Sequence, residues 1–209
     1  MSDEGARFEI GQWIDNAGEN NKQTSRWFGH FVSFYADIEG QCHVLFRRYC
    51  GVNERVARSI AGGMRFADLL SVLSVVIAES DMSDHGKQDF HICVEQLNHL
   101  TKLRHGLVHR GFQRAPGIID GGMGNFTSSN VLTAKARESM ESLKFHIDDI
   151  KAAAKDCLRI HTRMQLMTIG NPGFHQTLDK SFAQELYGPW LYKPLQPEKL
   201  AAKPRKTPE

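Results

Sequence analysis

Apolar residues recur every three or four positions over four long stretches of the chain, which is the spacing that places them on one face of an α-helix. The predicted helices run from about Gln23 to Cys50, from Glu54 to Glu79, from Lys87 to His109 and from Thr133 to Ile169. Glycine follows three of these helices, at positions 51, 111 and 170, where it commonly ends a helix. The pattern therefore predicts an all-α protein that folds as a four-helix up-and-down bundle.

Individual residues refine the prediction for three of the helices. In the second, Asn53 is the expected N-cap, and Gly62-Gly63 predicts a kink or a close crossing because each glycine costs about 1 kcal/mol relative to alanine. The expected inner face of the third helix consists of Ile92, Gln96, Leu100, Leu103 and Leu107. That of the fourth consists of Met140, Leu143, Ile147, Ile150, Ala154, Leu158, His161 and Met164.

The segment between the third and fourth helices, residues 111–132, is rich in glycine. Asp120-Gly121 is a common two-residue turn. It predicts a small hairpin with strands at Gly117 to Ile119 and Gly124 to Thr127, and the alternative is an irregular loop.

The two ends of the chain differ in composition from its middle. We interpret residues 1–22 as a polar N-terminal arm, residues 23–170 as the helical domain and residues 171–209 as a C-terminal extension. The extension contains a predicted short helix from Leu178 to Tyr187. It ends in a basic, proline-rich tail from Gln196 to Glu209 that we expect to be disordered.

The composition is that of an ordinary globular protein, with 41% hydrophobic and 24% charged residues among 209. The net charge of +2 is too small to indicate a nucleic-acid partner by itself, so any basic surface must be local. The four cysteines form no CxxC pair, which favours buried or half-buried free thiols in a reducing compartment. No signal peptide and no apolar run of about 20 residues occurs, so we expect a cytoplasmic protein with no membrane segment.

The candidate chemistry lies at the end of the third helix, in Arg104, His105 and His109. Arginine stays charged near neutral pH and can stabilise a phosphate, and histidine can give or take a proton there. Metal-free cleavage of RNA needs both capabilities. Successive helical residues are about 100° apart, so His105 and His109 share a face whereas Arg104 and His109 diverge by about 140°. The arginine and His109 could meet if Gly106 or a helix end near Val108 bends the chain, or across a two-fold axis.

The same geometry places four polar residues opposite the apolar stripe of this helix. They are His91, Asn98, His105 and His109. Four hydrogen-bonding side chains on one outward face are typical of a wet cleft at an interface rather than of a core.

The segment Arg104-His105-Gly106-Leu107-Val108-His109 resembles the R-x4-6-H signature of the HEPN superfamily. The layout is also similar, with two long helices before the motif, a variable loop after it and one long closing helix. The resemblance covers about residues 23–169. It implies a HEPN-like helical bundle and a homodimer in which the two motifs face each other across a cleft.

For function, the resemblance implies a metal-independent endoribonuclease, with a toxin or an antiviral defence effector as fitting roles. Arg104 would stabilise the charged phosphate, and His109 would act as acid or base to give a 2′,3′-cyclic phosphate and a 5′-hydroxyl. His105 stands where the family usually has asparagine and adds a second titratable group. Besides RNA, the expected partners are a second copy of the chain and an antitoxin or other regulatory protein.

Three basic residues flank the motif, namely Lys102, Arg110 and Arg114. They are candidates for contacts with an RNA backbone, because phosphate contacts supply most non-specific affinity. The alternative for all three is ordinary solvated charge.

Two other interpretations of the segment stay open. Arg104 and His109 would carry no chemistry if they only bond the exposed carbonyls of a helix end, as in a non-catalytic helical protein that dimerises or binds a partner. His105 and His109 have the spacing of two zinc ligands. No HExxH or CxxC motif supplies the other ligands, so we expect no metal and no other cofactor.

Overall fold

The structure is a computed structural model that describes residues 3–110, 113–114, 125–129, 141–169 and 178–199. Side chains are described from Lys22 onward, except those of Gln113, Arg114, Asn125, Ser129, Glu141 and Glu198. Its helices are α1 (Asp3–Tyr49), α2 (Glu54–Ala61), α3 (Phe66–Glu79), α4 (Asp84–Arg110), α5 (Ile147–Ile169) and α6 (Lys180–Tyr187). Its strands are β1 (Gln113–Arg114), β2 (Asn125–Ser129), β3 (Glu141–His146) and β4 (Glu198–Lys199). The prediction of a mostly helical protein is confirmed, and a small sheet is added to it.

The first helix is longer than predicted, because α1 begins at Asp3 instead of about Gln23. The segment interpreted as a polar arm is thus the first part of α1. No proline, which would break a helix, occurs before α1 ends. The predicted C-terminal end of this helix is confirmed, because α1 ends at Tyr49. Gly51 follows it with a φ of 65°, which is accessible to glycine without strain.

The second predicted helix is divided into two. α2 ends at Ala61 and α3 begins at Phe66, with Gly62 and Gly63 between them, so the kink expected at this pair is a full break. Asn53 caps α2 as predicted, since its side-chain oxygen accepts a hydrogen bond from the backbone N–H of Val56 at 3.0 Å.

The fourth predicted helix is shorter than expected, and the prediction for its first part was wrong. Residues 141–146 form strand β3, and α5 begins only at Ile147. Leu143, Phe145 and Ile147 alternate as in a strand, while Leu143 and Ile147 also have helical spacing, so both patterns fit this sequence. Leu158, expected on the apolar face, is 46% exposed. Thr133 and Met140 lie outside the described residues.

The sheet is antiparallel with the strand order β1-β2-β3-β4. Phe126 of β2 is opposite Phe145 of β3, and their rings stack with centroids 5.6 Å apart. The same face packs on α4, because the Ser128 hydroxyl donates a hydrogen bond to the Gly106 carbonyl at 3.0 Å. β2 overlaps the second strand of the predicted hairpin. Its first strand, Gly117 to Ile119, and its turn lie outside the described residues, as do Gly111 and Gly170.

One cluster of buried apolar side chains joins α1, α3, α4 and α5. Three of the four free cysteines, Cys42, Cys93 and Cys157, are buried in it, and Cys50 is half-buried, as predicted. Burial raises the pKa of the Cys42 and Cys93 thiols to about 12, so both stay protonated and unreactive near neutral pH. Among the described helices, none is long and apolar enough to cross a lipid bilayer.

Candidate functional site

The motif lies on a continuous helix, because α4 runs without a break from Asp84 to Arg110. The helix is therefore not interrupted at Gly106 and does not end near Val108. His105 and His109 lie one turn apart and their rings are close, with centroids 4.7 Å apart and planes inclined by 47°. Both side chains are exposed, as the helical spacing predicted. His91 and Asn98 are exposed as well, so the polar outward face of α4 is confirmed.

Arg104 packs against α1 and not against the histidines. Its guanidinium carbon lies 4.8 Å from the centre of the Tyr35 ring, and its Nε is buried without a hydrogen-bond partner in the described part of the chain. Burial raises the pKa of Tyr35 to about 12, and the Tyr35 hydroxyl lies 2.6 Å from the Thr101 hydroxyl. Arg104 as a whole is half-buried. One chain therefore does not bring Arg104 and His109 together.

A cleft of about 580 Å³ lies beside the motif, and we name it the α4 cleft. One wall is the helix itself and carries His99, Lys102, His105 and Arg110. The facing wall is formed by Leu143 of β3, by Tyr192 and by residues 194–197. Three predicted site residues, Lys102, His105 and Arg110, thus line one cavity. His109 adjoins it through His105, whereas the side chain of Arg114 is outside the described residues.

The environment of His105 favours its neutral form. Partial burial lowers the pKa of the imidazole from its usual 6.5, and the nearby His109, Arg110 and Arg104 lower it further. The imidazole is therefore uncharged near neutral pH and free to accept a proton.

A buried carboxylate fixes the chain that leads into the second wall of the cleft. The side chain of Asp156, on α5, is fully buried. It accepts hydrogen bonds from the backbone N–H groups of Leu191 at 3.1 Å and Tyr192 at 2.8 Å. It also accepts one from the side-chain amide of Gln96 at 3.0 Å and pairs with Arg159 at 3.3 Å.

Two buried arginines of α5 also hold the segment after α6 against the helices. Arg159 donates to the backbone carbonyls of Leu186, Gly188 and Pro189. Arg163 pairs with Asp89 of α4, and both guanidinium groups lie about 5 Å from the Trp190 ring. Every one of these polar groups except the Arg163 Nε has a partner, so the segment after α6 is held in one position.

The sequence prediction missed this polar cluster, although a signal for it exists. Asp156, Arg159 and Arg163 are spaced by three and four residues, so they share one helical face, and they are interleaved with the buried Ile160 and Met164. Charged residues repeated on an apolar face indicate buried pairs. Their partners after α6 are not predictable from α5 alone.

Searches of protein-family models, of curated proteins and of solved structures found no match for this chain. The HEPN resemblance therefore stays a prediction. Within the described ranges, no group of three or more histidine, cysteine or acidic side chains is placed to hold a metal ion, so the zinc interpretation has no further ligand there.

Proposed function

We propose that this protein is a metal-independent endoribonuclease of HEPN type that acts as a homodimer. The observation that supports this most is the grouping on α4. His105 and His109 lie one turn apart on its exposed side, and His105 shares a cleft wall with Lys102 and Arg110. A phosphodiester bound against the two cations would have two titratable groups beside it, which general acid–base cleavage requires.

In the proposed reaction, one histidine removes the proton from a 2′-hydroxyl. The 2′-oxygen attacks the neighbouring phosphorus, and the bond to the 5′-oxygen breaks. A second histidine gives that oxygen its proton, which leaves a 2′,3′-cyclic phosphate and a 5′-hydroxyl. His109 is the principal acid or base and His105 its complement, while Arg104 stabilises the negative charge that develops on the phosphate.

The position of Arg104 is the reason for proposing a dimer. Arg104 lies against Tyr35, five residues before His109 on an unbroken helix. A site that uses both residues is therefore most simply built from two subunits related by a two-fold axis, with the arginine of one near the histidine of the other. Uncontrolled RNA cleavage harms a cell, so a toxin or antiviral effector under the control of another protein fits this activity.

Cleavage of end-labelled RNA in EDTA tests the proposal. The wild type is expected to cut, whereas His109→Ala and Arg104→Ala should each lose about a hundredfold or more in rate, the usual contribution of such groups. His91→Ala is the matched control, because His91 is exposed on the same helix but about 27 Å from His109 along its axis. Intact RNA with the wild type, or equal rates in all variants, would contradict the proposal.

A second candidate function is a non-catalytic helical protein that dimerises or binds a partner. It is favoured by the contact between Arg104 and Tyr35, because packing alone explains an arginine stacked on a buried aromatic ring. A protein that is dimeric by light scattering but leaves RNA intact in the same assay would support this alternative.

A further inference from the structure

The two walls of the α4 cleft differ in chemistry. The helix wall carries Lys102, Arg110 and two histidines, whereas the facing wall consists of Leu143, Tyr192 and residues 194–197. A ligand that fills both halves must carry negative charge on one side and a flat or apolar group on the other. The volume of about 580 Å³ is in the usual range for a bound small molecule or one unit of a polymer.

One unit of single-stranded RNA has this combination of groups. Its phosphate is attracted to lysine and arginine, and its base has an apolar face that side chains can cover and an edge that forms hydrogen bonds. Pro194, Leu195 and Pro197 offer apolar surface in the cleft, and the Gln196 side chain, with both a donor and an acceptor, is beside them.

The apolar wall is held rigidly, as a selective subsite requires. Asp156 binds the backbone N–H groups of Leu191 and Tyr192, at the start of the wall. The Tyr192 hydroxyl then bonds the backbone of Leu195, and the Tyr192 ring is only 3% exposed. These contacts fix the backbone up to Leu195, the residue before Gln196.

We propose that residues 192–197 form a base subsite of the α4 cleft, in which the Gln196 amide reads the hydrogen-bonding edge of a base whose phosphate lies on Lys102 and Arg110. This inference rests on the proposed function, because it takes single-stranded RNA as the ligand. It adds a specificity determinant that lies about 90 residues after the motif in the chain.

Binding can be measured without cleavage by using 2′-O-methyl decamers, which lack the attacking hydroxyl. We expect fluorescence anisotropy to show that one of the four homopolymers binds about tenfold more tightly than an abasic decamer with the same phosphates. Gln196→Ala should reduce the preference among the four bases by about tenfold, the effect of one or two hydrogen bonds, and leave abasic binding unchanged. Lys102→Ala should weaken all five decamers by a similar factor.

Gln184→Ala is the matched control, because Gln184 is exposed on α6 and does not line the cleft. Equal affinity of the wild type for abasic and base-bearing decamers would overturn the subsite, as would a Gln196→Ala variant with unchanged base preference. Base-selective binding by a protein that leaves ordinary RNA intact would contradict the proposed nuclease and retain the subsite. Cleavage without base-selective binding would contradict the subsite and retain the proposed nuclease.

Discussion

His105 binds a proton less readily than a free histidine, because partial burial and three nearby basic groups disfavour its charged form. Imidazole NMR resonances followed against pH should therefore show a His105 pKa below 6.5. His109→Ala should move it upward, since it removes the nearest of these groups on the same face. Because folding lowers the pKa of His105, this group leaves the folded state at its most stable above pH 6.5. That stability is lost as the pH falls from 6.5 through the lowered pKa.

His91→Ala is the control for this titration, since His91 lies 14 positions before His105 and therefore about 21 Å away along the helix. It should leave the His105 midpoint in place. A midpoint at or above 6.5 in the wild type would show that the His105 environment does not disfavour the imidazolium.

Under the proposed function, Arg104 would contribute to cleavage at a cost in stability, and a single substitution tests this. The contact with the Tyr35 ring contributes about 0.5–1 kcal/mol, whereas a buried donor without a partner, here the Arg104 Nε, costs about 1–3 kcal/mol. Arg104→Met keeps the apolar stem and removes that donor. We therefore expect urea unfolding to show a protein that is equally stable or up to about 2 kcal/mol more stable, with its RNA cleavage lost.

The opposite result is equally informative. If Arg104→Met loses more than about 1 kcal/mol, the guanidinium has a structural role, and the non-catalytic alternative gains support. Tyr35→Phe serves as a reference, because it keeps the ring beneath the guanidinium and removes only the hydroxyl that meets Thr101.

At the scale of single residues, the sequence predicted outward positions better than contacts. His105 was expected on the outward face because helical periodicity assigns the exposed side of α4, and Lys102 and Arg110 were expected at the site because they flank the motif. The packing of Arg104 on Tyr35 depends on which helix lies against α4 and on the axial offset between the two helices. That information is spread over both helices and is not contained in the motif.

Among the elements, the sheet contacts the motif at Gly106. Gly106 faces β3, and a methyl group added there would meet Leu143 at 3.8 Å, an ordinary contact distance. Replacing a helical glycine by alanine gains about 1 kcal/mol of helix propensity. Gly106→Ala should therefore raise the free energy of unfolding by up to about 1 kcal/mol and, if no bend at Gly106 is used, retain RNA cleavage.

Gly62→Ala provides the contrast, because a methyl group at Gly62 would lie 2.5 Å from the Arg58 carbonyl oxygen, so the backbone must shift and stability should fall. Loss of cleavage in a stable Gly106→Ala protein would indicate that the motif bends during the reaction. Arg104 and His109 could then meet within one chain.

The elements themselves were predictable where one pattern applied and not where two overlapped. α4 was predicted to within a few residues because its apolar stripe has a single period. Leu143 to Ile147 fits both a strand and a helix, and the choice is made by a partner strand: β3 pairs with β2, with Phe145 opposite Phe126. Such a pairing is non-local, so periodicity within residues 133–169 could not reveal it.

For the whole molecule, the outward face of α4 is the natural place for two subunits to meet if the composite site exists. His105 and His109 are exposed there, and Val108 beside them is 43% exposed, so this face offers apolar as well as polar surface. An interface on this face would bring two copies of the motif together. Light scattering at micromolar concentration should then report a dimer.

Mixed dimers decide whether the active site is shared between subunits. If each site takes Arg104 from one chain and His109 from the other, a heterodimer of Arg104→Ala and His109→Ala has one intact site, and random mixing should restore about a quarter of wild-type cleavage. Each variant alone should be inactive. If both residues of a site come from one chain, every heterodimer lacks an intact site and the mixture stays inactive. Because Arg104 and His109 diverge on a straight α4, recovery is the expected outcome, and inactivity would require the helix to bend.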